Sequence, residues 1–325
     1  MTAASPPPWR DWHHLTGAEI DACDRDTTVI LVTSSPIEVH GPHLPTITDI
    51  CEAEGITEQV ARKVKAKHPQ LQFLRLPPIY VAADVLPHVG SLMFRQSTIQ
   101  RVFEDLGQSL ARQGFKHVWV GGFHGGPRHF VPVEIALEKT NRRFNTRMIS
   151  VFALMMKHLT GGGTDLAEVL SVVPGVEAEQ LRGDAHGGMI ETSLMLHLLG
   201  QHVRPVYAQT DRNSVHIARE KAGKVSVAFD GKPTMPVLIR ALLAKLHYYE
   251  EHTWSGTPSL ASAEFGEAFL DILSDKGAEA LCKVWSGEIP LEDSHSPVWK
   301  LRWVFSSELL TRAVQRAIGY QARVF

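Results

Sequence analysis

Sulfur, long apolar runs and net charge are all scarce in this 325-residue chain, and each shortage removes a class of protein. The three cysteines, Cys23, Cys51 and Cys282, stand far apart with no CxxC spacing, which argues against a disulfide framework and against a thiolate zinc site. A reducing compartment, the cytoplasm, is the expected location. No stretch approaches the roughly 18–20 apolar residues needed to cross a bilayer, and the short proline-rich start lacks the apolar core of a signal peptide. Lys and Arg number 33 against 35 Asp and Glu, a formal net charge of -2, so nothing draws the chain to nucleic acid or to an anionic membrane surface. Phosphate-cradling signatures are missing too: neither GxGxxG nor GxxxxGK[ST] occurs. These exclusions leave a globular protein with small-molecule partners, 44% hydrophobic and so able to bury a sizeable core.

Histidine, by contrast, is abundant at 17 residues, and it is the commonest metal ligand. Two histidines fall in residues 37–49, where Glu38, His40, His43 and Asp49 crowd around a turn stiffened by Gly41, Pro42 and Pro45. If Glu38 and His40 close a strand, its period of two puts both on one face. Asp49, beyond the turn, is then free to fold back between them, and a carboxylate bridges two ions where an imidazole does not.

Residues 27–33 are a β-branched run that reads as a buried strand, so this first island lies at a strand's C-terminal end. Residues 51–68 follow with helical spacing of Ala53, Ile56, Val60 and Val64 and with lysines near the end that suit the helix dipole. Further on, 71–81 reads as a strand, 97–113 as an amphipathic helix stopped by Gly114, 116–120 as a strand, 133–139 as a helix and 147–152 as a strand. The alternation predicts an α/β fold, a three-layer αβα sandwich around a mostly parallel sheet. Ligands in such folds bind beyond the carboxyl ends of strands. The later sequence predicts a hairpin around Asp230 and Gly231 and helices over 237–248 and 308–318.

Two more islands lie downstream. In 121–126, His124 sits among four glycines directly after an apolar strand, small neighbours that let backbone and substrate approach closely. His129, just beyond, reads as a surface-loop residue. Residues 184–196 open with Asp184, a candidate helix cap, and His186, placed for proton transfer, then continue into an apolar helix carrying Glu191. A carboxylate there costs several kcal/mol to bury unless it is paired or metal-bound. Glu38, His40, Asp49, His124 and Glu191 together make two imidazoles and three carboxylates, a donor set for Zn, Mn or Fe. Two ions about 3.5–4 Å apart would share a water and bring its pKa from about 15.7 to near 7.

In order and spacing, the run from Glu38 to Pro45 with Asp49, the glycine turn at His124, and His186-Gly187-Gly188 through Glu191 to Leu196 resemble the creatininase family. These are metal-dependent amidohydrolases that include creatinine amidohydrolases, formamide hydrolases of flavin and deazaflavin biosynthesis and a mycofactocin-maturing peptidase. The resemblance implies two divalent ions per chain: one held by Glu38, Asp49 and His124, the other by His40, Asp49 and a further carboxylate. Creatinine hydrolases place that carboxylate two residues after the central histidine, where this chain has Gly126, so Glu191 is the candidate replacement. By the same resemblance His186 is the general acid/base and the assembly a homo-oligomer, commonly a hexamer. Family-like sequence spans 1–285, with an insertion at about 206–254, and 286–325 is an added helical extension. Positions that shape the family pocket differ: Arg182 stands where creatinine hydrolases carry a tryptophan and Gly125 where they carry an aromatic. Ser91, Phe123, Gly125, Arg128 and Arg182 are therefore the candidate substrate contacts, the two arginines suggesting an anionic substrate other than creatinine. The expected reaction is hydrolysis of a non-peptide C–N bond in a cyclic amide or formamide. The alternatives are a lactone or C–C hydrolase on the same fold and a non-catalytic small-molecule-binding homologue.

Overall fold

The computed structural model describes residues 6–161, 177, 181, 183–221 and 235–317, without the side chains of 159–161 and 235–242. Five strands form one sheet: β1 (Trp9–Asp11), β2 (Thr28–Thr33), β3 (Gln72–Arg75), β4 (His117–Gly121) and β5 (Arg147–Ser150). Their spatial order is β1-β3-β2-β4-β5 and every pairing is parallel. Because side chains alternate along a strand, Val29 and Leu31 of β2 join Phe73 and Trp119 in one core, while Ile30 and Val32 join Leu74, Val118 and Val120 in another.

The first core is roofed by α2 (Thr48–Lys67), α5 (Val151–Gly161), α6 (Met189–Leu199) and α9 (Ala263–Ser286). The second is closed by α3 (Gln96–Arg112) and α4 (Pro127–Phe144) through Ile99, Phe103, Leu110, Val133 and Leu137. Three layers result, as the alternation of elements predicts. Short α1 (Gly17–Asp21) precedes β2, and α7 (Val215–Lys221), α8 (Met235–Glu251), α10 (Arg302–Ser306) and α11 (Glu308–Ala317) complete the helices described. None of the described helices is long and apolar enough to cross a membrane.

Topology places the site. The chain leaves β2 for α2 on one face and leaves its neighbour β4 for α4 on the other, so a crevice opens between their carboxyl ends. Both the first and second islands emerge there.

Several boundaries differ from expectation for local reasons. Strand β3 stops at Arg75 rather than at 81, since Pro77 and Pro78 have no N–H to continue a ladder. Strand β5 ends at Ser150 because the next helix begins at Val151. Glu38 and His40 do not close a strand: β2 ends at Thr33, and the chain beyond it is held by single bonds such as Glu38 N–H to the Thr46 carbonyl at 2.9 Å. Helix α2 begins at Thr48, so Asp49 sits in its first turn instead of in a preceding loop. The predicted helices at 237–248 and 308–318 fall on α8 and α11, and the hairpin at Asp230 and Gly231 lies outside the described residues.

The C-terminal extension is pinned across α3 and α4. Buried Glu134 of α4 accepts from the Ser296 amide and hydroxyl, both at 2.7 Å, and Gln96 donates to the Thr311 hydroxyl at 2.8 Å. Ser97 bonds Glu308 at the start of α11.

Candidate metal centre

Four buried side chains converge at the crevice from three elements: Glu38 and His40 from the segment after β2, Asp49 from the first turn of α2, and His124 from the turn after β4. Glu191, in the first turn of α6, closes the cluster from above. The Asp49 carboxylate stands in the middle and divides its oxygens between two groups. Its Oδ1 lies 3.6 Å from His124 Nδ1, which is 3.2 Å from Glu38 Oε2. Its Oδ2 lies 3.3 Å from His40 Nε2, which is 3.7 Å from Glu191 Oε2. Glu38, Asp49 and His124 thus form one three-donor set and His40, Asp49 and Glu191 a second, with the donor atoms of each within 4.8 Å of one another.

Each imidazole is oriented by its other nitrogen. His40 Nδ1 donates to the Glu38 carbonyl at 3.0 Å and His124 Nε2 to the Ala83 carbonyl at 3.1 Å, which turns His40 Nε2 and His124 Nδ1 toward the carboxylates. Metal-ligating histidines are fixed in this way by a second partner. Glu38 Oε1 accepts from the Leu86 amide at 2.5 Å, and Glu191 Oε2 from the Gly187 amide. Glu38 Oε2, His40 Nε2 and Asp49 Oδ2 are buried with no hydrogen-bond partner among the described residues. Orphaned buried atoms of this kind cost about 1–3 kcal/mol each, more when charged. The mixture of two imidazoles and three carboxylates is the donor chemistry of Zn, Mn or Fe, so the residues fit a pair of divalent cations.

Electrostatics point the same way. Burial opposes a charged imidazole at His40, yet Asp49 and Glu191 raise it to about 10. Burial likewise opposes charge on His124, but Glu38 and Asp49 hold it well above the ordinary histidine value. Burial pushes Glu191 up to about 7, against the pull of His40. The cluster gathers positive charge onto itself, as three buried carboxylates must.

His186 lies over the second donor set, its ring stacked on His40 at 4.0 Å between centroids. Burial, and then the charge of His40, keep it well below the ordinary imidazole value, so it is neutral at pH 7. Its Nε2 donates to the Val39 carbonyl at 2.8 Å, leaving Nδ1 with a free lone pair. Gly187, at φ +56°, carries no side chain where a Cβ would meet the His40 carbonyl carbon at 3.1 Å. Asp184 caps α6, accepting from the Met189 amide at 2.5 Å.

The remaining candidates divide. Gly125 and Arg128 line a cavity of about 420 Å³ above the cluster. A Cβ at Gly125 would meet nothing within 4 Å, so its lack of a side chain enlarges that space. Phe123 instead packs into the first core, and Ser91 is buried with its hydroxyl accepting from the Val39 amide at 3.1 Å, a brace for the ligand segment. Arg182 lies outside the described residues. His43 is buried, its Nε2 2.9 Å from the Thr192 hydroxyl. His129 is buried rather than in a surface loop, with its ring edge-on to His124 at 5.6 Å and Nε2 3.2 Å from the Ser34 carbonyl. It belongs to α4, which begins at Pro127, six residues before the predicted start.

Sequence reasoning missed Asp84, which has φ 64° and a carboxylate that bonds the Arg128 guanidinium and accepts from the Arg128 amide at 2.7 Å. Its side chain fills the space over Gly126, where a Cβ would come within 2.4 Å of Asp84 Cβ. Glu52, fully buried three residues after Asp49, was missed too; its helical spacing from Asp49 is the signal that would have found it. Lys245 and Tyr249 of α8, with Val304, Phe305, Leu310 and Thr311 of the C-terminal segment, also line the cavity, and nothing in the sequence pairs them with the ligands.

Comparison with known proteins gives consistent matches. The family model described as Creatininase: Creatinine amidohydrolase matches residues 13–281. A mycofactocin precursor peptide peptidase of Mycobacterium ulcerans (strain Agy99) is 26% identical over 189 residues, 57% of this chain; the chain spans 62% of that relative's length. A putative creatinine amidohydrolase from Bacteroides fragilis NCTC 9343 superposes with a TM-score of 0.58 at 19% identity, covering 86% of this chain and 97% of the other. A mutant creatininase of Zn-Zn type does so with a TM-score of 0.53 at 18% identity, covering 88% and 100%. Likeness to these solved structures is likeness of fold.

Proposed function

Because the chain belongs to the creatininase family, we propose that it is a binuclear metal-dependent amidohydrolase that cleaves a non-peptide C–N bond, a cyclic amide or formamide, in a small molecule. Family membership by itself supports a metal-dependent amidohydrolase in general terms. The observation that carries the finer reading is the divided Asp49 carboxylate, one oxygen turned to Glu38 and His124 and the other to His40 and Glu191. Those five residues would hold two divalent ions, with zinc, manganese and iron the metals that suit them. When bound, the ions supply an activated water and polarise the scissile carbonyl.

The chain's own residues do the rest. Neutral His186 accepts the proton of the attacking water at Nδ1 and returns it to the leaving nitrogen, its ring held by the Val39 carbonyl and by stacking on His40. Burial of Glu38, Asp49 and His124 excludes bulk water from the floor of the cavity and strengthens every charge interaction there. A second reading, cleavage of a peptide amide, draws support from the peptidase name of the Mycobacterium ulcerans relative and from the volume of the cavity.

Metal analysis of the purified chain, with turnover of formamides, cyclic amides and lactones, tests the proposal. Two ions per chain and hydrolysis of amides in preference to lactones are expected. Glu191→Gln should lose one ion and at least about 100-fold in activity. Fewer than one ion per chain, with no gain on adding zinc or manganese, would sink the enzyme reading.

A further inference from the structure

The walls of the cavity differ from its floor in a way that selects a substrate. Beside residues 84–87 and the start of α4, two elements outside the ligand islands build them. Helix α8 contributes Lys245, Leu246 and Tyr249, and the C-terminal segment contributes Val304, Phe305 and Leu310. The extension therefore folds over its own chain's site, secured at Glu134, Gln96 and Ser97. Its contribution to the cavity is mainly apolar.

Two basic residues face this space, and they are not equivalent. Arg128 is neutralised by Asp84, whose carboxylate meets both its guanidinium and its backbone amide. Lys245 has no carboxylate within ion-pair distance among the described residues; its Nζ stands 5.9 Å from the centre of the Tyr249 ring. Two divalent ions would outweigh the three carboxylates of the two donor sets by one charge, and Lys245 adds another at the rim. The expectation of an anionic substrate, first attached to Arg128 and Arg182, moves to Lys245.

We propose that Lys245, with the apolar wall of Phe305, Leu310 and Val304, forms a specificity subsite for an amide substrate bearing both an apolar group and a carboxylate. The amide carbonyl faces the floor, the apolar group lies against the C-terminal segment, and the carboxylate meets Lys245. This rests on the amidohydrolase reading, and a free N-formyl amino acid or the carboxyl end of a short peptide would present the same chemistry. The whole cavity, about 420 Å³, has room for more than a small ring.

The test compares N-formylphenylalanine with N-(2-phenylethyl)formamide, which differs only by the carboxylate, using the metal-loaded protein. At least about a tenfold preference in kcat/KM for the acid is expected, lost in Lys245→Met through KM rather than kcat, as removal of ground-state binding requires. Phe305→Ala should raise KM for both aromatic substrates. N-benzoylglycylphenylalanine separates the peptide source: turnover of it alone assigns the subsite to a peptide carboxyl end. A second measurement stands apart from catalysis. Calorimetry of 3-phenylpropanoate on the metal-free protein should show binding that Lys245→Met abolishes, since no metal is then present to hold the carboxylate. If no amide is turned over but this binding is seen, the hydrolase reading fails and the subsite survives. Equal use of the two formamides, unaltered by Lys245→Met, or no binding of 3-phenylpropanoate, overturns the proposal.

Discussion

The floor and the roof of the cavity are built on opposite principles. The floor is buried charge: Glu38, His40, Asp49 and His124, each 3.2–3.6 Å from its neighbour in the cluster and held by backbone carbonyls, amides and a helix start. The roof is partly exposed and mostly apolar, laid on from α8 and from the C-terminal segment. In the floor an atom displaced by an ångström leaves a buried charge without compensation, which costs several kcal/mol. In the roof the same displacement only rearranges apolar contacts. Under the proposed function, chemistry would be concentrated where substitution is expensive, and selectivity where it is cheap.

The comparison breaks first at Asp49. Asp49→Ala should strip both ions and lower activity on the order of 1,000-fold or more, read by metal analysis and kcat; retention of two ions would mean the bridge lies elsewhere. His186→Gln comes next. It should keep both ions, reduce kcat by about 100- to 10,000-fold and flatten the acid limb of the pH profile, because the neutral imidazole that the limb reports is gone. A smaller effect is expected at the edge of the floor. Gly126→Ala places a Cβ 2.4 Å from Asp84 Cβ and 2.6 Å from His124 Nε2, so a loss of about 1–3 kcal/mol in stability and weaker metal binding should appear in denaturant and chelator titrations.

The smallest prediction uses a histidine remote from the cavity as a control. His117, at the start of β4 and 4.6 Å from the Trp285 ring, is lowered to about 4 by burial and by Arg147. Below about pH 6.5 the unfolded chain takes up a proton at this ring that the folded chain refuses until near pH 4, so the stability it contributes is present above that window and lost as pH falls through it. His117→Phe should remove on the order of 1 kcal/mol of that acid sensitivity. Melting the metal-free proteins at pH 7 and pH 5 would show it. An unchanged difference between the two pH values would mean that His117 protonates without cost in the fold.

Particular residues show why some features were legible in sequence and others were not. The strands at β2 and β4 and the helix at α2 announce themselves because their burial is periodic, and Glu38, His40, Asp49 and His124 stand out because ligand side chains sit beside turn formers. The edges were harder to read. Asp49 belongs to the first turn of α2, and the start of a helix cannot be told from a loop when Pro45 and Thr46 precede it. His129 reads as a surface residue when the helix is started at Val133 from its apolar spacing; Pro127, at the first helical position, is the mark of the earlier start. Asp84 carried no signal, being a single acidic residue in an irregular stretch whose partner Arg128 is 44 positions away.

Sequence alone determined the layered α/β architecture and the donor types, because strand and helix periods are local and because a buried carboxylate beside imidazoles has few uses other than holding a cation. The tertiary structure decided the rest. It divided the two oxygens of Asp49 between two donor sets, brought Glu191 to 3.7 Å from His40 across about 150 residues of chain, cancelled Arg128 with Asp84 and laid the C-terminal segment over the cavity. Those relations join residues far apart in the chain, and their distances are set by how the helices pack on the two faces of the sheet, which no local pattern records.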